Sequence, residues 1–213
     1  MGKLFSLDNP VIALMARVAD IVVLNLLWLL CCIPIVTIGT STTALYYVTL
    51  KMVKNEDSGI LRSFFHAIKD NLKQGILLTL IFLVCGFVLL LDYFAVAVIG
   101  GFVEAIGQPL VLLLAYLLVS TALFAIPLQA QFSNTIRGTL KAAFILSFQK
   151  FSNTLFVVVL NVLVFAVFAL PLEICLKVLP IWMLIVPSAV AYICSGRFVK
   201  IFDPLIQSAE CEE

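Results

Sequence analysis

The chain has one histidine, His66, and little charge of either sign: 13 lysines and arginines and 12 aspartates and glutamates among 213 residues. Histidine-based acid–base chemistry, or a histidine metal set, has almost nothing to draw on. The formal net charge is +1, so no basic surplus is available to hold a nucleic acid. A GxxxxGK[ST] phosphate loop is missing, and with it any nucleotide-hydrolysing motif. The six cysteines, Cys31, Cys32, Cys85, Cys175, Cys194 and Cys211, lie mostly inside apolar runs without the spacing of a disulfide framework or a zinc site. They read as small hydrophobes. No cofactor, metal or catalytic residue is expected, and the chain is not read as an enzyme.

What is abundant is apolar: 63% of the residues are hydrophobic and the mean hydropathy is +1.20. A soluble fold of this length could not hide that much apolar surface, which makes the lipid bilayer the first partner. In hydrocarbon the backbone must satisfy its own polar groups, so each apolar run is expected to be a helix of about 20 residues crossing about 30 Å. The runs predict an all-α, polytopic membrane protein in a single domain, 1–213, with about six transmembrane helices and two cytoplasmic amphipathic connectors. The spans are 18–38, with Pro34 kinking its far end; a short 41–54; 74–97; 109–130; 151–172; and 181–201. A loop with Gly100, Gly101, Glu104 and Gly107 joins the third span to the fourth, and a connection with Glu173 and Lys177 joins the fifth to the sixth. A five-span alternative makes 41–54 re-entrant.

Six crossings put both termini on one side. Lys3, Arg17, Lys51, Lys54, Arg62, Lys69, Lys73, Arg137, Lys141, Lys150, Arg197 and Lys200 then share that side, and only Lys177 faces the other. Because Lys and Arg are retained inside during insertion, both termini are expected on the cytoplasmic side of the membrane.

The first connector, 59–73, follows Asn55, Glu56, Asp57 and Ser58, which suit a helix start. It places Ile60, Leu61, Phe64, Phe65, Ile68 and Leu72 on one face, as for a helix lying in the headgroup plane. Arg62, His66 and Lys69 occupy the opposite face and, with Lys141 and Lys150 on the second connector, are the candidate partner-binding residues. Segments 59–77 and 138–156 align weakly as a parallel repeat, with Gly59, Leu61, Arg62 and Phe65 against Gly138, Leu140, Lys141 and Phe144.

Polar residues inside the spans have two readings. Asn25 and Asn161 either hydrogen-bond between helices or line a ligand cavity with Tyr46 and Tyr47. Gly39 and Thr43, four residues apart, suit close helix contact.

The stretches NLLWLL (25–30), IPIVTIGTSTTALYYV (33–48) and FFHAIKDNLKQG (64–75) together resemble the YesL-like family of bacterial membrane proteins, a domain family of unknown function. Leu72 stands where an aromatic is commoner in that family. Members typically occur in Gram-positive bacteria beside sugar-uptake ABC transporters and glycan-degrading enzymes. The resemblance therefore implies an accessory role in carbohydrate import, with ABC transporter permease subunits as partners, and carries no functional residues to transfer. The alternative expectation is a self-sufficient transporter or channel for a small neutral solute or sugar.

Overall fold

A computed structural model describes residues 10–56, 59–132, 135–169 and 171–210; Lys3, Asp57, Ser58 and Cys211 lie outside the described residues. The described residues form seven α-helices: α1 (Pro10–Cys31), α2 (Ile38–Val53), α3 (Ile60–Ile99), α4 (Gly101–Gln131), α5 (Ile136–Gln149), α6 (Phe151–Phe165) and α7 (Leu172–Glu210). Short 3₁₀ turns at Ile35–Thr37 and Ala166–Ala169 precede α2 and follow α6.

The first helix stops at Cys31, before Pro34 can kink it, because the chain turns there and hydroxyls close the open end. The Cys31 carbonyl accepts from Thr37 Oγ1 at 2.7 Å and from Ser41 Oγ at 3.0 Å. These bonds supply a partner that lipid could not. The turn is only half enclosed: Ile33, Ile35 and Val36 are exposed, whereas Gly39, Thr40, Ser41 and Thr43 are buried.

The first connector and the third span are one continuous 40-residue helix, α3, not an interfacial helix followed by a crossing. Nothing between Lys73 and Gln74 breaks a helix, and Gly75 serves a close contact instead of a bend. The apolar face of 59–73 is divided accordingly: Phe64 and Ala67 are buried against the bundle, while Leu61, Phe65 and Leu72 are exposed. Two successive glycines with positive φ, Gly100 (69°) and Gly101 (64°), reverse the chain. The expected loop shrinks to that pair, and Glu104 and Gly107 belong to α4. Similarly, Glu173 and Lys177 lie in α7, which carries Pro180, Pro187 and Pro204 inside it.

The second connector behaves differently. Thr135 caps α5 by accepting from the Gly138 N–H at 3.3 Å, and α5 meets α6 at an angle of 101°. Thr154 Oγ1 stitches the corner, donating to the carbonyls of Ser147 at 2.8 Å and Lys150 at 3.2 Å. The two segments compared above as a repeat thus take different paths, one straight on through α3 and the other turning at Lys150.

Contacts fix the sense of each helix. Trp28 meets Thr42 and Arg17 meets Asn55, so α1 and α2 are antiparallel. Gly39 lies on Thr79 while Tyr47 and Lys51 lie near Arg62, so α3 runs back along α2. Gly107 packs on Val96 and Gly86 faces Leu118, making α3 and α4 a long hairpin. Asn153 meets Arg197 and Val164 meets Trp182, so α6 opposes α7, whereas Phe124–Phe198 and Phe132–Phe202 set α4 and α7 running together. Helices α1, α3 and α6 therefore run one way and α2, α4 and α7 the other.

Four helices, α1, α3, α4 and α7, are long and apolar enough to cross a membrane, or five crossings if the bent α5–α6 pair makes one. The expected six are not reached because α2 has only 16 residues and α6 only 15 before its 3₁₀ turn. Short α2 is the hub of the fold, packed by α1, α3, α4 and α7. Its Tyr46 meets Phe198 edge to face at 5.9 Å, and Phe198 joins Phe124 and Phe202 in a buried aromatic cluster. Outside this core, Leu83, Val84, Phe87, Leu90 and Phe94 of α3 are exposed, as expected of side chains that face lipid.

Candidate binding cleft at the basic end

The C-terminal half of α2 and the first turns of α3 converge on a cleft of about 350 Å³ lined by Tyr47, Lys51, Arg62, Ser63 and His66. Two helical periodicities create it. Tyr47 and Lys51 are four residues apart on α2, and Arg62 and His66 four apart on α3, so each pair shares one helix face. Lys51 Nζ sits 4.6 Å from the centroid of the Tyr47 ring, a cation–π contact contributing about 0.5–1 kcal/mol at an exposed site. Arg62 and His66 are exposed, Lys51 and Tyr47 are half-buried, and Ser63 is buried on the cleft floor. His66 Nδ1 lies 3.3 Å from Asp70 Oδ2 one turn on. Among the described residues, neither Lys51 nor Arg62 makes an ion pair. An adjoining cleft of about 270 Å³ shares Lys51 and Ser63 and adds Asp20, Glu56 and Gly59.

Of the expected partner-binding residues, Arg62 and His66 come together in this cleft; Lys69 is exposed on the next turn of α3, Lys141 is exposed on α5, and Lys150 is exposed at the α5–α6 corner. The four expected cavity residues do not converge. Tyr47 joins the basic cleft. Tyr46 is buried and meets Phe198 edge to face. Asn161 donates to the Val157 carbonyl of its own helix at 2.8 Å. Asn25, fully buried, turns to α7: its Nδ2 donates to the Met183 carbonyl, and its Oδ1 accepts from Ser188 N at 3.1 Å and Ser188 Oγ at 2.8 Å.

Lys51 and Ser63 are members of the cleft that the sequence reading passed over; the four-residue step from Tyr47 to Lys51 is the signal that could have found the former. The partner of Gly39 was also unread. Gly75 and Thr79, again four apart, meet Gly39 and Thr40 across the α2–α3 contact, where Thr79 Oγ1 accepts from Gly39 N at 3.0 Å and donates to Gly75 O at 2.7 Å. Among the described residues, no three His, Cys, Asp or Glu side chains gather where a metal ion could sit.

Fold, helix length and exposed apolar surface define a multi-pass, all-α membrane protein. Residues 21–93, about a third of the chain, match a family described as a protein of unknown function, DUF624. That stretch holds all of α2, the α2–α3 crossing and every residue of the basic cleft, and excludes Lys141, Lys150 and Asn161. No curated protein and no solved structure matches the chain.

Proposed function

We propose that this chain is an accessory membrane subunit that binds or regulates a carbohydrate ABC importer, docking through the basic end of α3. The observation that carries the reading is the length of α3. Forty residues make a helix of about 60 Å, twice the roughly 30 Å of hydrocarbon, and even a tilt of about 40° leaves a turn or more outside. The end left in water is the one bearing Arg62, His66, Lys69 and Lys73, which forms a stiff, charged arm suited to a protein partner. Charged rims of this kind steer and orient an incoming surface.

Transport enters through the YesL-like resemblance of 25–75, whose members accompany sugar importers. The alternating sense of α1, α2, α3, α4, α6 and α7 supports six passes with both termini on one face. The excess of Lys and Arg at that end supports assigning it to the cytoplasm, and the YesL-like resemblance supports a bacterial cell. Affinity purification from native membranes in mild detergent tests the proposal. Stoichiometric permease subunits are expected with the wild type and a several-fold lower yield with Arg62→Glu/Lys69→Glu. Recovery of the chain alone, with solute flux after reconstitution of the pure protein, overturns it in favour of a self-sufficient transporter.

A further inference from the structure

We infer that the cleft between α2 and α3 binds a phosphate-bearing anion, a phosphomonoester or phosphodiester of the kind carried by an acidic phospholipid headgroup or a soluble phosphate ester. The cleft brings together donors without a matching acceptor. Arg62 offers a planar fork of N–H groups and Lys51 a mobile ammonium, and neither is neutralised by a carboxylate among the described residues. Lys51 instead rests on the Tyr47 ring and lines the opening. His66 adds an imidazole whose Nδ1 is taken by Asp70, leaving Nε2 as its second polar atom.

The volume of about 350 Å³ falls within the range of small-ligand sites, about 300–1,000 Å³. Among the described residues, the wall carries no carboxylate. Asp20 and Glu56 line the adjoining cleft, which shares Lys51 and Ser63. A basic pocket between helices near a membrane surface is suited to a phosphate headgroup, with the acyl chains left in the bilayer. Arg62 and His66 belong both to the arm and to the cleft, but Lys51 and Tyr47 come from α2, outside the arm, so the inference does not depend on a protein partner.

The test uses the full-length chain purified in an uncharged detergent, with phosphatidylglycerol, phosphatidylcholine and free glycerol 3-phosphate as probes and native mass spectrometry with thermal unfolding as readouts. Phosphatidylglycerol should be retained and should raise the unfolding temperature where phosphatidylcholine does not. Retention should fall about tenfold in Lys51→Ala/Arg62→Ala and stay unchanged in Lys69→Ala/Lys73→Ala. On the wild type alone, raising salt from about 0.05 to 0.5 M should lower retention several-fold, since an open cleft is screened. Stabilisation by glycerol 3-phosphate, with displacement of the lipid, would assign the site to a soluble phosphate ester; no effect of it would assign the site to the lipid. Equal retention of the two lipids with no response to glycerol 3-phosphate overturns the inference, as does phosphatidylglycerol retention indifferent to salt and to the Lys51/Arg62 pair.

Discussion

The side-chain amide of Asn25 donates to the carbonyl of Met183, four residues before Pro187. A proline has no N–H, so the carbonyl one turn earlier loses its helical partner; here the amide of another helix replaces it, while its oxygen takes Ser188 N and Oγ. Asn25 thus repairs the break that Pro187 makes in α7 and ties α1 to it.

Asn25→Leu should therefore lower stability by about 1–3 kcal/mol for each buried group left without a partner. Thermal unfolding in detergent measures it. The loss should shrink in a Pro187→Ala background, where residue 187 regains an N–H for Met183. Equal losses in both backgrounds would show that the repair contributes nothing.

At the α2–α3 crossing, a Cβ on Gly39 would collide with Thr79 Oγ1 and lie 2.8 Å from the Gly75 carbonyl oxygen; one on Gly75 would lie 2.8 Å from Thr40 Cα. Since backbone cannot yield, Gly39→Ala and Gly75→Ala should each destabilise by about 1–3 kcal/mol, and Gly39→Leu should cut the yield of folded protein. Gly86→Ala is the control. Its Cβ would sit at 3.9 Å from Leu118 Cδ2, ordinary contact, and its stability should hold or rise slightly through helix propensity.

The Lys54–Asp203 ion pair, 2.9 Å long with side chains 22% and 45% exposed, joins α2 to α7. Exposure and salt screening limit such a pair to about 0–1 kcal/mol, so Lys54→Ala should shift the unfolding temperature little. The buried Thr49–Ser195 hydroxyl contact at 2.7 Å is the stronger link between the same helices, and Thr49→Val should cost more than Lys54→Ala. The reverse order, read by the same unfolding assay, would contradict the burial argument.

Much of this was legible in the residues. Apolar runs marked the middle of each long helix, although α1, α4 and α7 begin eight or nine positions before the expected spans; Gly39 marked a close approach, and Asn25 was one of two candidate interhelical amides. What was not legible has physical causes. A polar-to-apolar transition at Lys73 resembles a connector's end, yet no proline follows, and Gly75 packs against Thr40 inside a helix that runs on. The 101° corner at Lys150 lacks Gly and Pro, and rests on Thr154 reaching back to carbonyls. The acceptor for Asn25 exists only because Pro187 lies 162 positions on, a pairing that no local pattern encodes. The basic cleft was half read, since Arg62 and His66 were grouped by helix face while Tyr47 and Lys51 arrive from another helix.

Which side of the membrane holds the basic ends governs both the docking arm and the source of any headgroup in the cleft. Single cysteines placed at Glu56 and at Gly101 in a cysteine-free background, probed on intact cells with a thiol reagent that cannot cross the membrane, decide it. The expected result is labelling at Gly101, in the α3–α4 turn, and none at Glu56 until the membrane is permeabilised. Labelling at Glu56 from outside, with Gly101 protected, would contradict the proposed orientation and remove the docking arm from any cytoplasmic partner.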